Sequence, residues 1–490
     1  MPPRIILVEE ARPADDAGMG LVEVLVAMLV FAIVAVSVAY SLTFTLSNTR
    51  DAKARQIALN LASQEIDKVR AVGDPFKVLS ETTPRTQDGE TYSIQRSTSW
   101  ISSTGTDASC SASGGSLQYK RVNVTVTWAN MGPTGIPART DTLLAPATRI
   151  NAPSSGTILV SVTGADGLPA AGFTPSISPS PGTGITIEPT DAEGCTFIVG
   201  AAPGTYTVSL SRPGYLDNTQ VAAPSSVGVV AVGASTAFSF QYDRAASFPV
   251  RYASNARGLP TQTPAVPAVK VEYPSELTTT YLNSRGVWPF STPVTEATSA
   301  TVPAGALGTG TASTALHPWD VGYQAFAGTS TPTCTVHDPE AWAPDTSVTP
   351  ALAGSRSVVQ TAAPGGPAAT MDVPMGLVDV VRPSGSANDS RTFLIAVRQP
   401  DQVITGQPTC TGTLVYNFGS ILTSTTVAAR VALPFGSWKL YAVTATSAAA
   451  PASSNVLSTG ITLRTRGVVP VTAAGTTLGR LALDPRGVTP

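Results

Sequence analysis

The sequence predicts an α+β chain. One long N-terminal helix, first transmembrane and then amphipathic, precedes a small sheet and two or more all-β sandwich domains. Three observations carry this prediction. An apolar run from Met19 to Leu46 is interrupted by a single charge, Glu23. Apolar residues then recur at helical spacing to about Val72. The rest of the chain is rich in Val, Thr and Ser and is punctuated throughout by Gly and Pro, of which the chain has 42 and 41. Val and Thr favour pleated strands and Gly and Pro close turns, which is sandwich composition.

At 490 residues the chain exceeds what one core can organise and should divide into about three or four folding units. Reading along it, we expect a leader at 1–18 and a helix at 19–75 with its membrane span at about 22–46. A β region follows at 76–150, a sandwich at 155–245, a β-rich irregular region at 246–370, and a second sandwich with C-terminal strands at 371–490. Only 13% of residues are charged and the formal net charge is -2. That balance argues against nucleic-acid binding by the body, which needs concentrated positive charge.

The leader is polar and ends in Asp15-Asp16-Ala17-Gly18. From Val24 to Leu46 no charge occurs, and as a helix this stretch is about 34 Å long, enough to cross a hydrocarbon core once. A cleaved secretory signal would put a basic segment before a shorter apolar core, whereas this leader is acidic. A carboxylate at the edge of such a span is costly in lipid unless paired, so Glu23 is a functional candidate; the plain alternative is a Glu reaching headgroup water. Past Leu46, Ile57, Leu61, Ile66 and Val69 keep helical spacing among Arg50, Asp51, Lys53, Arg55 and Lys68. Gly73-Asp74-Pro75 ends the helix.

The segment Gly18-Met19-Gly20-Leu21-Val22-Glu23-Val24-Leu25-Val26-Ala27-Met28 closely resembles the signal of type IV prepilins and type II secretion pseudopilins. The resemblance implies that a prepilin peptidase cuts after Gly18 and that the new N-terminus, Met19, is N-methylated. It also implies that Glu23 pairs with the N-terminal amine of a neighbouring pilin or pseudopilin during assembly. A charge pair buried in lipid satisfies both partners. In that family the leader lies in the cytoplasm and the body outside, reaching the cell surface or a filament after processing. Met19 stands where phenylalanine is commonest, and Gly20 where Thr or Ser is usual.

In the body, Tyr92–Trp100 and Tyr119–Trp128 alternate with period two on either side of a Gly/Ser loop. Their place directly after the helix is similar to that of the sheet of minor pilins. From Gly156 a series of strands and tight turns, including Gly164-Ala-Asp-Gly and Pro203-Gly-Thr-Tyr-Thr-Val, resembles the carboxypeptidase regulatory-like family, a non-catalytic β-sandwich. Gly376-Leu-Val-Asp-Val-Val and Leu433-Pro-Phe-Gly-Ser-Trp-Lys-Leu-Tyr441 echo its strands. Trp288, Phe290, Trp319 and Trp342 stand among Gly/Pro-rich loops and could form a surface for a ligand, or fill a β core.

Chemistry is scarce. His337-Asp-Pro-Glu340 matches a fragment used by zinc carboxypeptidases, but zinc catalysis needs three protein ligands and the one other histidine is His317. No G-x-S-x-G, H-E-x-x-H or P-loop pattern occurs. We therefore expect no enzyme, no catalytic or metal residues and no cofactor. Residues 155–245 hold no lysine, which excludes a Lys–Asn isopeptide crosslink there. The four cysteines, Cys110, Cys195, Cys334 and Cys410, form no C-x-x-C pair. In an exported body they suit disulfides, with Cys334–Cys410 the candidate pair although four cysteines allow about three connectivities, or buried thiols. Two readings follow: a minor pilin or pseudopilin displaying β modules, or a membrane-anchored adhesin or glycan-binding protein without a filament role.

Overall fold

The computed structural model describes residues 20–488 except 103–104, 106, 109, 112–116, 132–134, 147–149, 151, 259–269, 292, 297–309, 401, 448 and 470–477. The chain forms two compact units. The first holds the described residues up to Gly156 with Val232–Ser235; the second holds Thr157–Ala231 and the described residues from Thr236 onward. A long N-terminal helix followed by many sheets confirms the α+β class.

In the first unit α1 (Leu21–Val72) runs for 52 residues without a break. It stops where Gly73 takes φ 70 and its N–H bonds the Arg70 carbonyl, the left-handed conformation that glycine adopts without steric cost. A 3₁₀ turn at Pro75–Lys77, capped by the Asp74 side chain, reverses the chain into β1 (Glu81–Gln87) and β2 (Glu90–Ser102). After the short β3 (Asp107–Ala108) come β4 (Leu117–Trp128) and β5 (Ala138–Leu144). The sheet order is β1-β2-β4-β5, each pair antiparallel, with β3 beside β2. The period-two alternation of β2 and β4 turns Tyr92, Ile94, Val122, Val124 and Val126 to the helix side. There they pack with Ala54, Ala58, Leu61, Ala62, Ile66 and Val69.

The second unit opens with a sandwich. One sheet has the order Tyr215–Asp217, Ser235–Arg244, Gly156–Thr163, Cys195–Ala201; the other has Ser225–Val230, Gly204–Ser209, Ser176–Ser178. Ile158, Val160, Tyr206, Val208, Phe238 and Tyr242 fill the space between them. Beyond Ala245, four further sheets share a second core that draws on residues from Ala246 to Leu483.

That core passes through residue 370 without interruption. Ala246–Tyr252 pairs in parallel with Met371–Val373, and Val271–Glu272 pairs in parallel with Ala429–Leu433. Gly376–Val380 and Gly436–Val443, the two segments that echo the earlier strands, lie in different sheets of this core. A buried carboxylate within it is paired: Asp379, 5% exposed, receives Arg430 in a two-pronged ion pair and Arg464 on its second oxygen. Burial raises the Asp379 pKa, yet the two guanidiniums outweigh that effect and hold it below the ordinary value.

Candidate functional site: the N-terminal helix

Gly20 precedes α1 in an extended conformation, and its carbonyl accepts from Glu23 N–H at 2.9 Å and Val24 N–H at 3.2 Å. Glu23 therefore sits in the first turn, where the helix dipole favours a negative charge. Its side chain is exposed and lines a shallow groove with Gly20, Ala27, Val30 and Val34 along one helix face. Gly18 and Met19, the expected cleavage and methylation positions, lie outside the described residues.

From Leu21 to Leu46 every residue is exposed. A soluble core helix of this composition would be buried; this one presents apolar side chains all round, as a lipid-facing span does. Three of its hydroxyls bond within the helix: Ser37 Oγ donates to the Ile33 carbonyl, Thr43 Oγ1 to Ala39 and Tyr40, and Thr45 Oγ1 to Ser41, at 2.8–3.1 Å. Hydrocarbon offers no other partner, so internal satisfaction is what a membrane requires.

Where the span ends, side chains of the sheet grip the helix. Arg50 Nη2 donates to Glu90 Oε2 at 3.2 Å, and Lys53 Nζ lies 3.0 Å from Asp88. Glu90 also accepts from the Asn130 backbone N–H and from Asn130 Nδ2. The Asn130 amide first, and Arg50 after it, hold the Glu90 carboxyl below the usual range. Asp88 (φ 54) and Gly89 (φ 77) form the tight hairpin turn that presents Asp88 and Glu90 to the helix. More than three turns further along the helix, Arg96 of β2 reaches Glu65, Glu81 Oε2 (2.8 Å) and the Leu79 carbonyl (2.7 Å). Sequence reasoning missed the Arg50–Glu90–Asn130 cluster, whose members are forty residues apart at each step; the one local signal was the Asp88-Gly89 turn.

Residues 14–39 match the family profile described as the prokaryotic N-terminal methylation motif. The N-terminus thus carries a prepilin-type motif. The motif runs directly into an apolar helix long enough to cross a membrane. No curated protein matches the chain in sequence. Among solved structures, the TIE protein of Bacillus anthracis is 11% identical, with 74% of this chain and 69% of that one covered and a TM-score of 0.18. BcpA, the major pilin subunit of Bacillus cereus, is 11% identical over 59% of this chain and 87% of its own, with a TM-score of 0.19. A Streptococcal ancillary pilin is 7% identical over 51% and 75%, at 0.17. Superpositions this poor carry no functional weight.

Elsewhere in the chain, Cys334 and Cys410 form a disulfide with Cα atoms 4.1 Å apart. His337 and Glu340 do not converge. His337 is fully buried, its Nδ1 bonded to the Phe435 carbonyl at 2.8 Å and its Nε2 3.3 Å from Arg398 Nη1, while Glu340 pairs with Arg356 at 2.9 Å. Among the described residues no group of three or more His, Cys, Asp or Glu could hold a metal ion. Trp319 and Trp342 are buried, and Trp288 and Phe290 pack against the large core. Trp319 lies in the large core and Trp342 in a small cluster with Val336 and the disulfide, while Trp288 and Phe290 stay partly exposed.

Proposed function

We propose that this chain is a minor pilin or pseudopilin of a type IV pilus or type II secretion-like filament. Prepilin peptidase cuts after Gly18, Met19 is methylated, and Glu23 pairs with the amine of a neighbouring subunit within the membrane. The body faces outside and carries its β modules as a display, with the sandwich over 157–244 acting as a non-catalytic module of the carboxypeptidase regulatory-like kind. The methylation motif carries this reading, supported by its continuity with a lipid-facing helix half and a sheet-packed half. A body this large beside each helix leaves little lateral room in a closely packed filament, which favours a minor rather than a repeating position.

The test is mass spectrometry of the protein from its native host. A methylated chain starting at Met19 is the expected result. A chain still starting at Met1, or cut elsewhere, removes the filament assignment and leaves the anchored-adhesin reading. Purified filaments in which this chain is the main component would overturn the minor role alone.

A further inference from the structure

The first sandwich of the second unit and the large β body beyond Ala245 have separate hydrophobic cores. One residue divides the strands on either side: Ser235–Arg244 ends the sandwich and Ala246–Tyr252 begins the body, with Ala245 N–H bonded back to the Gly214 carbonyl. Two modules joined by a short connection without a shared apolar core are expected to move relative to each other unless something else holds them.

A closed ring of hydrogen bonds stands at that junction. Gln220 projects from the sandwich turn that follows Tyr215–Asp217; its Nε2 donates to Tyr323 Oη at 2.9 Å and its Oε1 accepts from the His317 N–H at 2.7 Å. Tyr323 Oη in turn donates to the His317 carbonyl at 2.7 Å, and His317 Nδ1 meets the Leu216 carbonyl of the sandwich at 3.0 Å. The body side of the ring is stiffly mounted. Tyr323 and His317 are fully buried, and the Tyr323 ring is packed edge-on by Phe248, Tyr281 and Trp288.

The sandwich side is strained. Gln220 adopts φ 72, a left-handed conformation that a residue with a Cβ adopts only at a steric cost. The turn is braced by Asp217, whose Oδ1 accepts from Thr219 N–H and Val221 N–H. Strain that persists at a residue whose side chain uses both its donor and its acceptor across a junction is strain the junction compensates.

We propose that Gln220, His317 and Tyr323 form a latch that fixes the orientation of the 157–244 sandwich on the 246–488 body, and that its opening lets the sandwich pivot about Ala245. The latch is polar, so it is specific in geometry yet breakable and re-formable, unlike a fused apolar core. The device follows from the junction alone and stands whether or not the filament assignment does.

The test places unnatural amino-acid spin labels at two exposed sites, Val229 on the sandwich and Val358 on the body, in the full-length protein in nanodiscs. Inter-label distances are read by pulsed electron resonance. One narrow distance distribution is expected for the otherwise native chain. Gln220→Gly, which removes the side chain and relieves the backbone strain, and Tyr323→Phe, which removes one hydroxyl, should broaden the distribution or add a second component, with circular dichroism unchanged. A broad distribution in the native chain, or distributions in both variants that match it, overturns the latch. If Gln220→Gly does not fold, Tyr323→Phe decides by the same criterion.

Discussion

Burial keeps His337 out of acid–base exchange near neutral pH. Loss of hydration, reinforced by the nearby Arg398 guanidinium, pushes its pKa down from 6.5 to about 3 against the opposing bond to the Phe435 carbonyl. The folded chain therefore holds a neutral imidazole with Nδ1–H donating to Phe435, so that Nε2 is free to accept from Arg398. Because the folded pKa lies below the unfolded one, protons favour the unfolded chain. The stabilisation is complete above about pH 6.5 and drains away as pH falls towards 3, amounting to a loss of about 2 kcal/mol by pH 5. His337→Gln keeps an acceptor for Arg398 without the titration. The denaturant midpoint of the native chain should fall from pH 7 to pH 5 more steeply than that of the variant, and equal slopes would refute the assignment. Glu23 is conspicuous in the sequence because a lone charge in an apolar run needs a reason. Glu90 and Gln220 are not, because polar residues near turns read as solvated until distant partners are placed beside them.

Within α1, composition changes function along one continuous element. The first half is apolar all round and exposed; the second buries a single face of small residues, with Ala54, Ala58 and Ala62 at successive four-residue steps, against β2, β4 and β5. Small side chains there let the helix backbone approach the sheet closely, while Leu61, Ile66 and Val69 each add about 1.5–3 kcal/mol of burial. Ala58 has no exposed surface, so Ala58→Leu must push helix and sheet apart. A destabilisation of about 1–3 kcal/mol is expected, measured by thermal unfolding of the full chain in detergent. The reverse change at the exposed neighbour, Leu59→Ala, should have a much smaller effect. The helix, its stop at Gly73 and the two long strands after it were legible because each rests on local periodicity and turn chemistry. The grip of the Asp88–Glu90 turn on Arg50 and Lys53 depends on how the hairpin folds back, which no local pattern encodes.

Across the molecule, the large core is assembled from distant sequence. Cys334 and Cys410 close a loop with a sequence separation of 76, and they pack with Val336 and Trp342 in a small satellite of that core. Arg398 ties the same region together through the carbonyls of Thr411 and Gly412 and through His337. By loop entropy such a crosslink is worth about 4 kcal/mol. The paired substitution Cys334→Ser with Cys410→Ser should lower the denaturant midpoint and expose the 331–337 and 405–412 segments to limited proteolysis. A midpoint unchanged within error would show that surrounding packing alone holds them.

The sequence by itself determined that this chain begins with a prepilin-type signal and a membrane helix and continues as β structure. Those properties are written in contiguous residues: an apolar stretch of sufficient length, one acidic residue near its start, and alternating strands between Gly and Pro turns. Folding in three dimensions is what joins residues from Ala246 to Leu483 in one core and buries Trp319 and Trp342. It also placed Glu90 on the helix at the membrane exit and Gln220 on His317 and Tyr323. The physical reason is that parallel pairings such as Val250 with Met371, and polar contacts across a hundred residues, gain their energy from partners that local composition does not name.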